Sequence, residues 1–140
     1  MGWLAMTYSA RYLESEVLSA DPMKLVNLLY RAAIEAVEAA RRHLAAGEIR
    51  QRSRKVIKAW EIVNELRRSL DEERGGEIGR SLRDLYVYMQ NRLLEANSRQ
   101  IDAPLAEVEG LLRTLEQGWA AACAANAPAD LSYEPVSCTG

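Results

Sequence analysis

The chain of 140 residues is the length of one domain, and its 49% hydrophobic and 27% charged residues are ordinary for a soluble globular protein. A net charge of -2 gives no general attraction for nucleic acid or an anionic membrane, and no apolar run approaches the length that spans a bilayer. Cys123 and Cys138 form neither a disulfide framework nor a zinc signature. They are expected as free thiols in a reducing cytosol, beside an N-terminus without a secretory signal.

Residues 1–20 carry Trp3, Leu4, Met6, Tyr8, Tyr12, Leu13, Val17 and Leu18, too apolar a set for a plain disordered tail. They are expected to dock on the domain as a short helix or an extended segment. The bundle proper is expected over residues 21–125. Asp21 is a good N-cap, and Pro22 suits the first helical position. Leu25, Leu28, Leu29, Ala32, Ala33, Ala36 and Ala40 make one face of this first helix. Arg41, Arg42 and His43 stand in its last turn, where cations suit the helix dipole, and Gly47 is the stop.

The second predicted helix runs from about Glu48 to Asp71. Val56, Ala59, Trp60, Val63, Leu66 and Leu70 form its stripe; Ile62 widens it and Ile57 lies outside it. The DEERGG stretch should end this helix. The third, Gly75 to Asn97, organises the rest of the chain. Its main stripe is Ile78, Leu82, Leu85, Tyr86, Met89, Leu93 and Ala96, while Val87 and Leu94 point the opposite way. That second stripe is a hint of a partner.

A polar turn from Asn97 to Asp102, with Asp102 or Ser98 available for capping, leads into a fourth helix over Ala103 to Ala124. Its stripe is Val108, Leu111, Leu112, Leu115, Trp119 and Ala122, with Pro104 tolerated in the first turn. Residues 126–140 read as a flexible tail. No segment alternates as a strand does. Four helices of five to seven turns joined by short turns predict an all-α, antiparallel up-down four-helix bundle with a docked N-terminal segment.

Catalytic chemistry has little to stand on. His43 is the one histidine, and the helix dipole accounts for it. Glu-x-x-His pairs, a phosphate-binding glycine loop and a nucleophile elbow are all missing from the sequence, so no cofactor, metal or catalytic residue is assigned. Arg41, Arg42, Arg50, Arg52, Arg54, Lys55 and Lys58 cluster around the first turn. They read as a solvated corner, since no aromatic residues interleave them for base stacking. Trp60 and Trp119 read as core. Tyr86 at the edge of the main stripe and Tyr88 on another flank suit either a wet core edge or a protein interface.

Taken in order, YLESEV from Tyr12, ADP before LVNLLY, SLD before GGEIG, LYVYM before RLLEAN, and a terminal Trp119 carry a resemblance. From about Tyr12 to Trp119 the chain resembles the flagellar secretion chaperone family, FliS. The resemblance implies a non-enzymatic cytoplasmic chaperone that binds the C-terminal segment of flagellin, prevents its premature polymerisation, and hands it to the flagellar export apparatus. It also implies that the N-terminal segment covers part of the same apolar surface when flagellin is absent. Tyr12, Leu13, Val17, Ile57, Ile62, Tyr86, Val87, Tyr88, Leu94 and Asn97 are the candidate client-binding residues. The alternatives are a regulatory adaptor that meets a regulator or nucleic acid at the basic corner between helices one and two, and a bundle that homodimerises through its second stripe. Membrane insertion is not expected.

Overall fold

The computed structural model describes residues 22–124. The expectations for the N-terminal docking segment, for Asp21 and for the tail therefore lie outside the described residues, as do Tyr12, Leu13 and Val17. Four helices follow one another: α1 (Pro22–Ala45), α2 (Ile49–Arg68), α3 (Glu72–Arg99) and α4 (Ala103–Ala124), with no strand among the described residues.

Local chemistry accounts for the boundaries. After α1, Gly47 adopts φ +74°. Its N–H donates to the Leu44 carbonyl at 3.1 Å, and the Glu48 N–H donates to the His43 carbonyl at 2.9 Å. This is a Schellman close, in which a left-handed glycine satisfies the last carbonyls of the helix. Helix α3 ends in the same manner on Gln100, at φ 58°, where a side chain is less welcome. Asp71 corrects one expectation. Its carboxylate accepts the Arg74 N–H at 3.2 Å, so the DEER stretch opens α3 and does not close α2. The helix then breaks at Gly76, with φ 56° and ψ -126°.

The hydrogen bonds give the directions. Between α2 and α3, Arg52 reaches Asn97 while Trp60 and Asn64 meet Gln90. Between α1 and α4, Met23 pairs with Trp119, Arg31 with Glu116, Glu38 with Arg113, and Arg41 with Asp102 and Glu109. Partners descend one helix as they climb the other, so these neighbours are antiparallel. The helices close into a ring in chain order, each packed on the next and α4 on α1.

The core corrects the expected face of α1. Met23, Val26, Leu29, Tyr30, Ala33, Ile34, Ala36, Val37, Ala39 and Ala40 are buried, whereas Leu25, Leu28 and Ala32 are only half-buried. The helix is apolar over so wide an arc that periodicity alone does not choose the buried side. From the other helices come Val56, Ala59, Ile62, Val63 and Leu66, then Tyr86, Met89, Leu93 and Ala96, then Leu105, Val108, Leu112 and Trp119. The Trp119 indole N–H donates to the Met23 carbonyl at 2.9 Å, tying the end of α4 to the start of α1. Trp60 is half-buried at the core edge, and Ile78, expected in the stripe of α3, is exposed. Cys123 is disulfide-bonded, which overturns the free-thiol expectation there.

Candidate client-binding surface

The ten candidate residues divide into four groups. Tyr12, Leu13 and Val17 are outside the described residues. Ile62 and Tyr86 are fully buried. The Tyr86 hydroxyl lies 2.6 Å from that of Tyr30, so this tyrosine is a core residue with its polar end satisfied inside. Neither side chain is exposed in the bundle without a client.

Ile57, Val87, Leu94 and Asn97 gather on one side of the molecule, along the groove between α2 and α3. Ser53 and Asn64 turn from α2 toward α3, and Ile57 sits next to them on the solvent side. Val87 and Leu94, seven residues apart, share one face of α3, adjoining Gln90 and Asn97. The register that links Arg52 to Asn97 and Trp60 to Gln90 brings Ile57 about level with Leu94. These two are 51% and 48% exposed, large apolar side chains facing water on both lips of one groove. Val87 is half-buried, and neither it nor Leu94 belongs to the core.

The groove floor is polar and hydrogen-bonded, except for the buried Arg67 Nε, which has no partner among the described residues. Gln90 Nε2 donates to the Trp60 carbonyl and to Asn64 Oδ1, both at 3.3 Å, and Asn64 Oδ1 also accepts from Arg67 at 2.9 Å. At one end, Arg52 is buried and its Nε donates to Asn97 Oδ1 at 2.9 Å; Ser53 Oγ donates to the same oxygen at 3.1 Å. Asn97 is thus committed to holding α2 against α3. The floor fixes the spacing of the lips, and the apolar lips are what remains for a partner.

Tyr88 belongs to a different face, toward α4. Its hydroxyl donates to Glu107 at 2.8 Å, and Arg92 binds the same carboxylate at 2.6 Å and Glu95 at 2.8 Å. The Glu107 bond lifts the Tyr88 hydroxyl above the ordinary tyrosine range. The Tyr88 and Arg92 bonds hold Glu107 below the usual carboxylate range. This exposed network knits α3 to α4.

The basic corner does not form one surface. Arg41 turns to α4, where it binds Asp102 through two nitrogens and Glu109 through a third, and these bonds raise its pKa. Arg52 turns inward. His43 Nδ1 lies 2.7 Å from Glu48 Oε1. Lys58, on the α1 side of α2, is shifted down by burial and then by Lys55, with Glu35 opposing. An open cleft of about 540 Å³ lies beside Arg41, lined by Glu38, Arg42, Ala45, Asp102 and Glu109. Among the described residues no cluster of His, Cys, Asp and Glu could hold a metal ion, and no helix is long and apolar enough to cross a membrane.

Two exposed isoleucines, Ile49 at 57% and Ile78 at 58%, were not among the candidates. Neither gave a sequence signal. Ile49, seven residues before Val56, falls on the main stripe of α2 and is exposed because it is the first residue of the helix. An unbroken helix would put Ile78 on the buried side.

Comparison with known proteins adds an independent line. Residues 4–126 match the family model described as flagellar protein FliS, a span that reaches beyond the Tyr12–Trp119 stretch on both sides. The chain is 40% identical over 113 residues to the flagellar secretion chaperone FliS of Salmonella typhimurium, covering 80% of this chain and 84% of that one. It is 37% identical over 112 residues to the flagellar secretion chaperone FliSB of Pseudomonas aeruginosa, covering 80% and 89%. It is 30% identical over 108 residues to FliS of Bacillus subtilis, covering 77% and 80%.

Proposed function

The chain belongs to the flagellar protein FliS family, a family of chaperones and not of enzymes, and from that premise we propose that it shields the C-terminal segment of flagellin in the cytoplasm until export. The observation that carries the reading is the pair Ile57 and Leu94, exposed on facing lips of the α2–α3 groove. An amphipathic client helix laid along that groove would bury its apolar stripe against these lips and Val87, while the hydrogen-bonded polar floor holds α2 to α3. A client that is disordered when free becomes ordered on binding, and that ordering consumes part of the interaction free energy. The contact surface must therefore be large, and a groove running the length of two helices suits it. The occupied chaperone is then the form offered to the flagellar export apparatus.

Mixing the protein with the C-terminal segment of flagellin tests this directly. A gain in helicity by circular dichroism, with an equimolar complex in size exclusion, supports the reading. Unchanged helicity with separate elution of the two components overturns it.

A further inference from the structure

We propose that the α2–α3 groove selects its client by charge as well as by apolar contact, and that the segment it takes is an amphipathic helix with carboxylates at both ends of an apolar stripe. The proposal rests on the chaperone reading above and specifies its client.

The observation is where the arginines have partners and where they do not. On the α1–α4 side, Arg31, Arg41 and Arg113 all pair with acids. On the α3–α4 side, Arg92 and Arg99 do the same. Along α2 and α3 the pattern is incomplete: Arg68 pairs with Glu65 and Arg83 with Asp84, but Arg50 and Arg80 are exposed and neither makes an ion pair among the described residues. The chain as a whole is acidic, with 20 Asp and Glu against 18 Lys and Arg, so unpaired arginines are not forced by a shortage of acids. Arg42 is exposed too, but it stands in the last turn of α1, where the helix dipole favours a cation.

Arg50 stands where the dipole opposes it. It lies in the first turn of α2, which contains no acidic residue and whose N-cap, Glu48, makes no side-chain capping bond. A cation at that pole costs stability. Its position matches the apolar lip: Arg50 and Ile57 are seven residues apart on α2, and Arg80, Val87 and Leu94 recur at the same interval on α3. Because the helices are antiparallel and Ile57 is level with Leu94, Arg50 marks one end of the groove and Arg80 the other. At 1.5 Å per residue they are separated by about 30 Å, the length of a helix of roughly 20 residues. The groove thus reads basic, apolar, basic, and the complementary occupant reads acidic, apolar, acidic.

The test is a titration of the full chain with the C-terminal segment of flagellin at low and high salt, using wild type, Arg50→Glu/Arg80→Glu, and Arg31→Glu as a control on the far side. Wild-type affinity should fall about tenfold or more between roughly 50 and 500 mM salt. The double variant should bind about tenfold more weakly at low salt and lose most of its salt dependence. Its melting temperature should hold or rise, because Arg50→Glu places an acid at the favourable pole of α2. The control should bind as wild type does. Exchanging acidic residues that flank the client's apolar stripe for lysine should restore binding to the double variant. Tight wild-type binding that ignores both salt and charge reversal would overturn charge selection and leave the chaperone reading standing. Failure of wild type to bind the segment at all would overturn both. A dimer in sedimentation that the double variant abolishes, with client affinity unchanged, would assign the groove to a second copy of the chain.

Discussion

The hydroxyls of Tyr30 and Tyr86 meet 2.6 Å apart in the middle of the bundle, joining α1 to α3 across the core. Each ring is buried, so a hydroxyl deprived of this partner loses a bond that water cannot replace at low cost. Tyr30→Phe and Tyr86→Phe should each destabilise the protein by about 0.5–1.5 kcal/mol. The double variant should cost less than the sum, since both single changes remove the same hydroxyl–hydroxyl bond. Chemical denaturation of the four proteins gives the coupling; strict additivity would show that the hydroxyls do not depend on each other.

The groove lips and the core beneath them should respond oppositely to truncation. Ile57→Ser/Leu94→Ser removes apolar surface already half in water, so stability should change by less than about 1 kcal/mol while client affinity falls. Ile62→Ala, one helical turn from Ile57 but fully buried, should cost about 2–5 kcal/mol. Thermal melts with calorimetric titration against the flagellin segment separate the two. A large loss of stability in the serine variant would place the lips in the core.

Removing residues 1–17 tests whether the chain's own N-terminal segment competes for this surface. If Tyr12, Leu13 and Val17 anchor that segment, each contributes up to about 1.5–3 kcal/mol of burial. Ordering offsets much of this at about 1–2 kcal/mol per residue fixed, so the hold is weak enough to be displaced. Client affinity should then rise on deletion. A fall in affinity would mean that the segment also contacts the bound client, and no change in affinity or stability would remove the docking idea.

Glu109 should contribute to the acid limit of stability. Burial works against its charged form, yet the Arg41 and Arg113 bonds outweigh this and hold its pKa below the ordinary 4.5. A carboxylate with a folded pKa below its unfolded one stabilises the fold above the unfolded value, and that contribution is lost as pH falls through the folded value. Stability from Glu109 should therefore be full at neutral pH and decline below about pH 4.5. Glu109→Gln should be less stable than wild type at pH 7, with the difference shrinking in acid. A difference independent of pH would exclude this linkage.

Gly76 sits at φ 56° and ψ -126°, a backbone region that residues with a Cβ rarely adopt; an added Cβ would meet no neighbour, but the backbone itself resists. Gly76→Ala should cost about 1–3 kcal/mol from backbone strain alone. Denaturant midpoints measure it. A neutral result would mean that the break can be re-formed as continuous helix.

Much of the local structure was legible in the residues. Pro22, Gly47 and Pro104 mark helix ends by their own backbone restrictions, and α1 and α4 begin and end about where those residues imply. The isolation of Ile57 and Leu94 from their stripes was equally readable, since helical periodicity assigns every side chain an angle on its own helix. The DEER stretch was misread because an acidic run closes one helix as plausibly as it caps the next, and only the Asp71–Arg74 bond distinguishes the two.

What the chain could not state alone is how each helix is rotated against its neighbours. An angle on one helix has no meaning for burial until a partner helix supplies the opposing surface. That is why the tertiary structure, and not the pattern, turned Tyr30 and Val26 of α1 inward, buried Ile62 and Tyr86 in the core, and buried Arg52 against an asparagine 45 residues away. The groove exists for the same reason. Ile57 and Leu94 come from two helices, and only antiparallel packing in the register of Arg52 and Asn97 makes them the facing lips of one surface.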